Sequence, residues 1–552
     1  MNSLNRRGFL QALGAGTATV LPMGCGGSKT PSSPDNRRPN IILMMADDMG
    51  FSDLGCYGSE ISTPHIDSLA QGGIRFTQFY NTARCCPTRA SLLTGLYPHQ
   101  TGVGHMMRDY EVPGYRGDLN RQCVTIAEVL GQAGYTTLMS GKWHVTPAAN
   151  PSQHNWPLQR GFDRFFGTIH GAGSFYDPVT LTRGNEPIKP ESEDFYYTTA
   201  IGDNAARFID ECGGKEDPFF LYVPFTSPHW PLHAFEQDIA RYHGRYDMGW
   251  DELRNERRER MIGMGLIQED WPLTPRDESV AAWRDEENKK WHSRRMEVYA
   301  AQIEVMDRAV GRIMERVCRL GLEDNTLVLF LADNGGCAEE LRSSWEGLHF
   351  PGRTRDGRPV QRGNDPSVMP GPEETYQSYG IPWANVSNTP FRLYKHWVHE
   401  GGIATPLIAH WPAQVKNTNT LTHEVGHLID ILATCVDVAR AQYPETYKEH
   451  IIKTMEGESL QPVFQGEKLY RKDALYWEHE GNRAVRQGKY KLVSRYRGDM
   501  DGKWELYDLE NDRTETRDLT DRYPDQVREL VEQYDRWADR SNVLSWQSWG
   551  NS

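Results

Sequence analysis

Short apolar runs that end abruptly in polar clusters recur along the chain. Ile41-Ile42-Leu43-Met44-Met45 leads to Asp47-Asp48, and Tyr135-Thr136-Thr137-Leu138-Met139 leads to Gly141-Lys142-Trp143-His144. Phe219-Phe220-Leu221-Tyr222-Val223 leads to His229, and Leu327-Val328-Leu329-Phe330-Leu331 leads to Asp333-Asn334. Continuous apolar runs of this kind read as strands buried on both faces. Helix-like segments lie between them. From Met296 to Leu320, the residues Ile303, Met306, Val310, Ile313 and Val317 recur at helical spacing, a row that packs a core. Strands alternating with helices predict an α/β fold, a mostly parallel sheet between helices. In such sheets ligands bind beyond the carboxyl ends of the strands. The four polar clusters are therefore predicted to converge on one site.

Around residue 466 the pattern changes. "ALYWEHEGNRAVRQGKYKLVSRY" and "KWELYDLENDRTETRDL" alternate apolar and polar residues, as antiparallel strands with one wet face do. "YPDQVRELVEQYDRWADR" follows as an amphipathic helix with Pro524 in its first turn. The predicted organisation is a leader and linker over 1–36, a catalytic domain over 37–465 and a small C-terminal α+β subdomain over 466–552. Segments 235–297 and 337–390 read as excursions over the sheet, the second a candidate lining for a cleft. No later stretch is apolar enough to span a membrane.

Composition narrows the partners. A formal charge of −14 lacks the basic footprint of a nucleic-acid binder. An anionic substrate must therefore be attracted locally. The nine cysteines (25, 56, 85, 86, 123, 212, 318, 337 and 435) are odd in number and scattered, which is no disulfide framework. Cys123, Cys318 and Cys435 lie in helix-like runs and read as small core residues. At the N-terminus, Arg6-Arg7 with Phe9-Leu10 and a short apolar stretch resemble a bacterial twin-arginine export signal, against the plainer reading of a basic helix. Export to the periplasm is the expectation. Gly24 before Cys25 fits a lipid-attachment site, whereas Pro22 does not.

The clusters carry chemistry. Asp47, Asp48, Asp333 and Asn334 offer only oxygen ligands, which suit a hard cation, Ca²⁺ or Mg²⁺. "DNGG" alone reads as a turn; its place after an apolar run favours the metal. Lys142 and Lys395 beside a divalent cation make sense only if an anion lies between them. His144 and His229 are candidates for proton transfer. His105, His170, His233, His399 and His479 read as structural. "TARCCPTRASLLTG", residues 82–95, places Pro87 in the first turn of a helix and Cys85 just before its N-terminus, where amide dipoles favour negative charge. A soft thiolate is out of place beside a hard metal and an oxyanion.

Cys85-Cys86-Pro87-Thr88-Arg89, followed by Leu93-Thr94-Gly95, resembles the signature of the type I, formylglycine-dependent sulfatases. "ADDMG", "GKWH", "TSPHWP", "ADNGG" and "YKHWVHEGGIATPLIAHWP" match further blocks of that family in order, from about Pro39 to about Arg540. The resemblance implies an alkaline-phosphatase-like fold and hydrolysis of sulfate esters. It implies that Cys85, two residues before the proline, is oxidised to formylglycine by a maturation enzyme, with Cys86 as the variable position. It further implies Ca²⁺ on Asp47, Asp48, Asp333, Asn334 and an oxygen of modified Cys85. Lys142 and Lys395 are then expected to hold sulfate oxygens and Arg89 to orient the hydrated aldehyde. His229 is expected to protonate the leaving oxygen, and His144 to assist release of sulfate. Thr88 stands where many members have Ser, and Ala404-Thr405 where others have Arg and a small residue. The rivals are a phosphonate or phosphate monoester hydrolase of the same superfamily and a non-catalytic protein that captures sulfated glycans. The substrate is expected to be an aryl sulfate or a sulfated carbohydrate, with Phe175, Tyr176, Trp230 and Trp345 as candidate stacking surfaces.

Overall fold

A computed structural model describes residues 37–147, 153–190, 192–496 and 502–546. Residues 1–36, on which the expected leader with Arg6-Arg7 and Cys25 falls, lie outside the described residues. Residues 37–552 form one compact unit.

Ten strands build one sheet. In chain order they are β1 (Asn40–Asp47), β2 (Ile74–Tyr80), β3 (Thr136–Lys142), β4 (Arg164–Thr168), β5 (Leu181–Arg183), β6 (Glu186–Pro187), β7 (Phe219–Pro228), β8 (Thr326–Ala332), β9 (Ala404–His410) and β10 (Thr420–His427). Across the sheet the order is β10-β2-β9-β8-β1-β7-β3-β4-β5-β6. β8, β1, β7, β3 and β4 run parallel. β9 is antiparallel to both β8 and β2, and β5 and β6 form an antiparallel edge. The sheet is thus mixed and mostly parallel, as the alternation of apolar runs and helices predicts.

β1 shows why the runs are continuous rather than alternating. Ile42, Met44 and Ala46 enter one apolar core, and Ile41, Leu43 and Met45 enter the other on the opposite face. Helix α1 (Cys85–Thr94) belongs to the second core, whereas α2 (Tyr197–Cys212) and α3 (Lys289–Arg319) belong to the first. Ile303, Met306, Val310, Ile313 and Val317 of α3 are all fully buried. Each contributes about 1.5–3 kcal/mol by burial. α3 begins seven residues before the predicted Met296, because Trp291 and Arg295 are buried in that added stretch. Arg295 Nη2 is held there by Glu340 at 2.9 Å. Cys123 is buried but lies ahead of the helix Ile126–Gln132 rather than in one, and Cys318 is part-exposed in the last turn of α3. Cys435 is buried in the helix Ile429–Val438.

At the C-terminus β11 (Leu475–His479), β12 (Asn482–Gln487), β13 (Tyr490–Ser494) and β14 (Trp504–Asp508) form an antiparallel sheet, followed by α4 (Pro524–Ser541) with Pro524 at its start. The expected wet face is largely dry: all five residues of β11 are buried. Two of its side chains meet polar partners from the first 400 residues. Trp477 Nε1 donates to Asn81 O at 2.7 Å, and Glu478 lies 2.7 Å from His99. Lys491 bridges Glu400 (2.9 Å) and Glu515 (2.8 Å), and Arg513 holds the other Glu400 oxygen at 2.8 Å; all four residues are fully buried. Lys491→Met leaves two buried carboxylates short of a partner. It is expected to lower the unfolding free energy by about 3 kcal/mol in chemical denaturation; a loss below about 1 kcal/mol contradicts that role. Despite burial, Lys491 and Arg513 push the Glu400 carboxyl down from 4.5 to about 2. Its stabilising contribution is therefore full above the unfolded value and is lost as pH falls from 4.5 towards 2.

Candidate active site

The carboxyl ends of β1, β8, β3 and β7 carry the four polar clusters to one place. β1 ends at Asp47, and Asp48 turns out of the strand with φ 63°. Asp48 N donates to Asp333 Oδ1 at 3.1 Å, and Asp333 N donates to Ala46 O at 3.1 Å, which locks the ends of β1 and β8 together. β3 ends at Lys142, and His144 follows at φ 56°. Left-handed backbone at two non-glycine residues costs free energy that the surrounding packing must offset, and such strain concentrates at functional sites. Gly141 lets β3 approach β7: its φ is 138°, and a Cβ there would fall 2.0 Å from Pro224 O. β7 ends at Pro228, one residue before His229.

Asp47, Asp48, Asp333 and Asn334 are fully buried or within 1% of it. Asn334 Nδ2 donates to Asp48 Oδ1 at 2.7 Å. Asp47 Oδ1 and Asn334 Oδ1 are buried and lack any hydrogen-bond partner. Unmet acceptors in an oxygen-only cluster fit a hard cation. Burial and the neighbouring Asp333 carboxylate push Asp47 well above the usual carboxylate range, and burial raises Asp333 too.

Three side-chain cations face these acids. Arg89 Nη2 lies 2.8 Å from Asp333 Oδ2 and 3.4 Å from Asp47 Oδ2, and its Nη1 donates to Lys142 O at 3.1 Å. Lys142 Nζ lies 2.5 Å from Asp47 Oδ2, and Lys395 Nζ 2.8 Å from Asp48 Oδ1. Against the cost of burial, Asp48 holds Lys395 well above the ordinary lysine value. His229 Nε2 sits 3.3 Å from both Lys395 Nζ and Asp48 Oδ2, while its Nδ1 is 2.6 Å from Trp230 O. That carbonyl accepts the Nδ1 proton and leaves Nε2 to face the site. Burial and the two lysines push His229 well below the usual histidine value; burial pushes His144 to about 3.

Helix α1 opens at Cys85 itself rather than after it. The helix start therefore presents the Cys85 side chain, 2% exposed, to the cations. A hydrogen bond from Cys86 holds the Cys85 thiol well below the ordinary value against burial, helped by Lys142, His144 and Lys395. All the expected site residues thus gather in one buried cluster. Both departures from the family pattern support it: Thr88 Oγ1 donates to Asp333 O at 2.6 Å, and Thr405 Oγ1 accepts from Ala332 N at 2.9 Å beside it.

Several neighbours escape the sequence reading. Cys86, taken as a variable position, is fully buried with Sγ 3.2 Å from His144 Nε2. His170, taken as structural, lies with its ring 5.9 Å from His144 and stacks on His349 at 5.1 Å. Between them Gly171 leaves no room for a side chain, since a Cβ would stand 2.0 Å from the His144 ring. Glu339, three residues beyond "DNGG", accepts from Trp230 Nε1 at 2.8 Å and pairs with Arg84 at 2.9 Å. Segment 337–390 brings Phe350 into a stack with Trp230 at 5.8 Å, with Trp345 against Phe350. Phe175 and Tyr176 are not stacking surfaces: they are buried with Tyr196 and Val305 in a small core of their own. His233 is structural, its Nε2 2.6 Å from Thr375 O.

An oxygen-lined acidic cradle, two lysines and two histidines at the strand ends of this sheet offer what a hydrolase of anionic esters needs. The family model Sulfatase matches residues 39–441, and the model N-sulphoglucosamine sulphohydrolase, C-terminal, matches 391–538. The arylsulfatase of Klebsiella aerogenes is 31% identical over 82% of this chain and 96% of its own. Two solved structures share the fold. One, in complex with its substrate D-glucosamine-2-N,6-O-disulfate, has a TM-score of 0.61 at 22% identity over 92% of this chain and 98% of that one. The other, the phosphonate monoester hydrolase of Agrobacterium radiobacter, has a TM-score of 0.54 at 20% identity over 92% and 96%. The chain belongs to the sulfatase family, of arylsulfatase type, and is a sulfuric ester hydrolase.

Proposed function

We propose that this sulfatase acts through formylglycine made from Cys85 and a calcium ion on Asp47, Asp48, Asp333 and Asn334. The observation that carries the reading is one of charge. Three carboxylates face three side-chain cations, so the charges of the cradle already balance among themselves. A divalent ion would leave two positive charges over, one for the single negative charge of a sulfate ester and one for an ionised oxygen nucleophile at residue 85. When present, the hydrated formylglycine supplies an oxygen nucleophile, and calcium supplies positive charge at the sulfate. Lys142 and Lys395 point their ammonium groups at the same place and hold sulfate oxygens as charge gathers on them. Arg89 fixes the first turn of α1 against Asp333. His229 delivers a proton from Nε2 to the departing alcohol oxygen, its basicity raised by the bound anion. His144, neutral at working pH, accepts a proton at the ring nitrogen facing Cys85.

The substrate class follows from rivals with the same fold. A sulfated carbohydrate or an aryl sulfate is expected to be turned over with far higher kcat/KM than an aryl phosphonate; a clear preference for the phosphonate overturns the assignment. On the same panel, His229→Ala is expected to cost roughly 10²–10⁴-fold on an alkyl sulfate and much less on a nitrophenyl sulfate, whose leaving group needs no proton. Equal losses on both contradict the acid role. Family membership sets the capture-only reading aside. The Arg6-Arg7 leader supports periplasmic export after maturation in the cytoplasm, with Cys25 as the candidate anchor; cell fractionation locates the protein.

A further inference from the structure

Outside the catalytic cluster, three segments distant in sequence bring imidazoles to one carboxylate. Glu480, at the turn between β11 and β12, has Oε2 2.9 Å from His396 Nδ1 and Oε1 3.6 Å from His479 Nε2. His105 Nε2 lies 2.7 Å from the same Oε1. Ligand atoms of His396, His479 and Glu480 lie within 4.8 Å of one another. A tetrahedral zinc ion with bonds of about 2.0–2.2 Å keeps its donors about 3.3 Å apart, between the two separations seen here. His479 is the telling member. It is completely buried, and neither ring nitrogen has a hydrogen-bond partner, although Nε2 is aimed at Glu480. A buried imidazole left so costs stability unless something takes its lone pair.

We propose that His396, His479 and Glu480 form a second metal site, selective for zinc-like divalent ions and separate from the oxygen-only cradle. Two imidazoles and a carboxylate suit zinc where the cradle suits calcium. His105, whose ring stacks on His479 at 5.7 Å, holds the carboxylate through Oε1, as partners of metal ligands do. His396 now shares its Nδ1 proton with Glu480 and meets the Asn482 amide through Nε2 at 3.3 Å. Metal at Nδ1 moves that proton to Nε2 at the cost of this long contact, while the amide keeps Tyr496 N on Oδ1 at 3.1 Å and His479 O on Nδ2 at 3.0 Å. The side chains of His396 and Glu480 are 30% and 24% exposed, which leaves a path for the ion and a coordination position for water. The ion ties the C-terminal sheet to the segment that carries Lys395, because His396 follows Lys395 directly and its N–H donates to Ala83 O at 2.8 Å.

The test strips the whole protein with a chelator, saturates it with calcium and titrates Co²⁺ and Zn²⁺. One equivalent of Co²⁺ with the absorption of a low-symmetry nitrogen-oxygen site is expected, displaced by Zn²⁺, together with a rise in melting temperature. Glu480→Gln and His479→Ala are each expected to weaken binding at least roughly 10²-fold, whereas Asp333→Ala leaves it intact. Glu480→Gln, at a part-exposed position, serves if His479→Ala fails to fold. Absence of stoichiometric binding, binding untouched by Glu480→Gln, or binding lost with Asp333→Ala overturns the proposal.

Discussion

Cys85→Ala is expected to lower kcat on every sulfate ester by roughly 10⁴-fold or more, with the melting temperature shifted by less than about 5 °C. The small loss of stability follows from removing one sulfur from a helix start whose other side chains stay packed. The large loss of rate follows because the remaining groups bind and polarise sulfate but cannot attack it. Cys85→Ser sharpens the point. A serine hydroxyl at the helix start can take the sulfuryl group, with the alcohol leaving on a proton from His229. It has no second hydroxyl on the same carbon, so the carbonyl cannot re-form and sulfate cannot be expelled. The expected result is release of about one equivalent of alcohol, then arrest, with the Cys85→Ser chain heavier by one SO₃ in the intact mass. Steady turnover by either variant at wild-type rate contradicts the nucleophile's place.

Asp333→Ala is expected to remove calcium and at least roughly 10³-fold of kcat together. Asp333 has two roles: its Oδ2 is 2.8 Å from Arg89, and its Oδ1 accepts the Asp48 N–H. Alanine therefore also strands a fully buried guanidinium, and stability should fall by about 3 kcal/mol. Asp333→Asn separates the effects, since it keeps the shape and removes the charge. Calcium stoichiometry by elemental analysis and calorimetry, beside kcat in added calcium, reads both. Full activity of Asp333→Asn in metal-free buffer contradicts the ligand role.

The strand ends were legible because a buried parallel strand is apolar throughout, so the first polar residues after it mark where the chain leaves the sheet. Asp47, Lys142, His229 and Asp333 all carried that signal. β9 did not: its antiparallel course between β2 and β8 is set by tertiary pairing, and nothing local distinguishes it from its parallel neighbours. The dry second face of β11–β13 was hidden for a different reason. Lys491, Glu478 and His479 look like solvent residues until Glu400 and His99, hundreds of residues earlier for His99, supply partners to the two charged ones. Cys86 and His170 were missed because proximity to His144 arises from the meeting of α1, β3 and the loop after β4, which spacing along the chain does not encode.

The most direct measurement is the mass of the peptide containing residue 85, taken from the same preparation whose specific activity is assayed. The expected result is a formylglycine at Cys85, its fraction rising in proportion to activity across preparations made with and without the maturation enzyme. Full activity in material whose Cys85 is entirely unmodified thiol contradicts the mechanism proposed for this sulfatase.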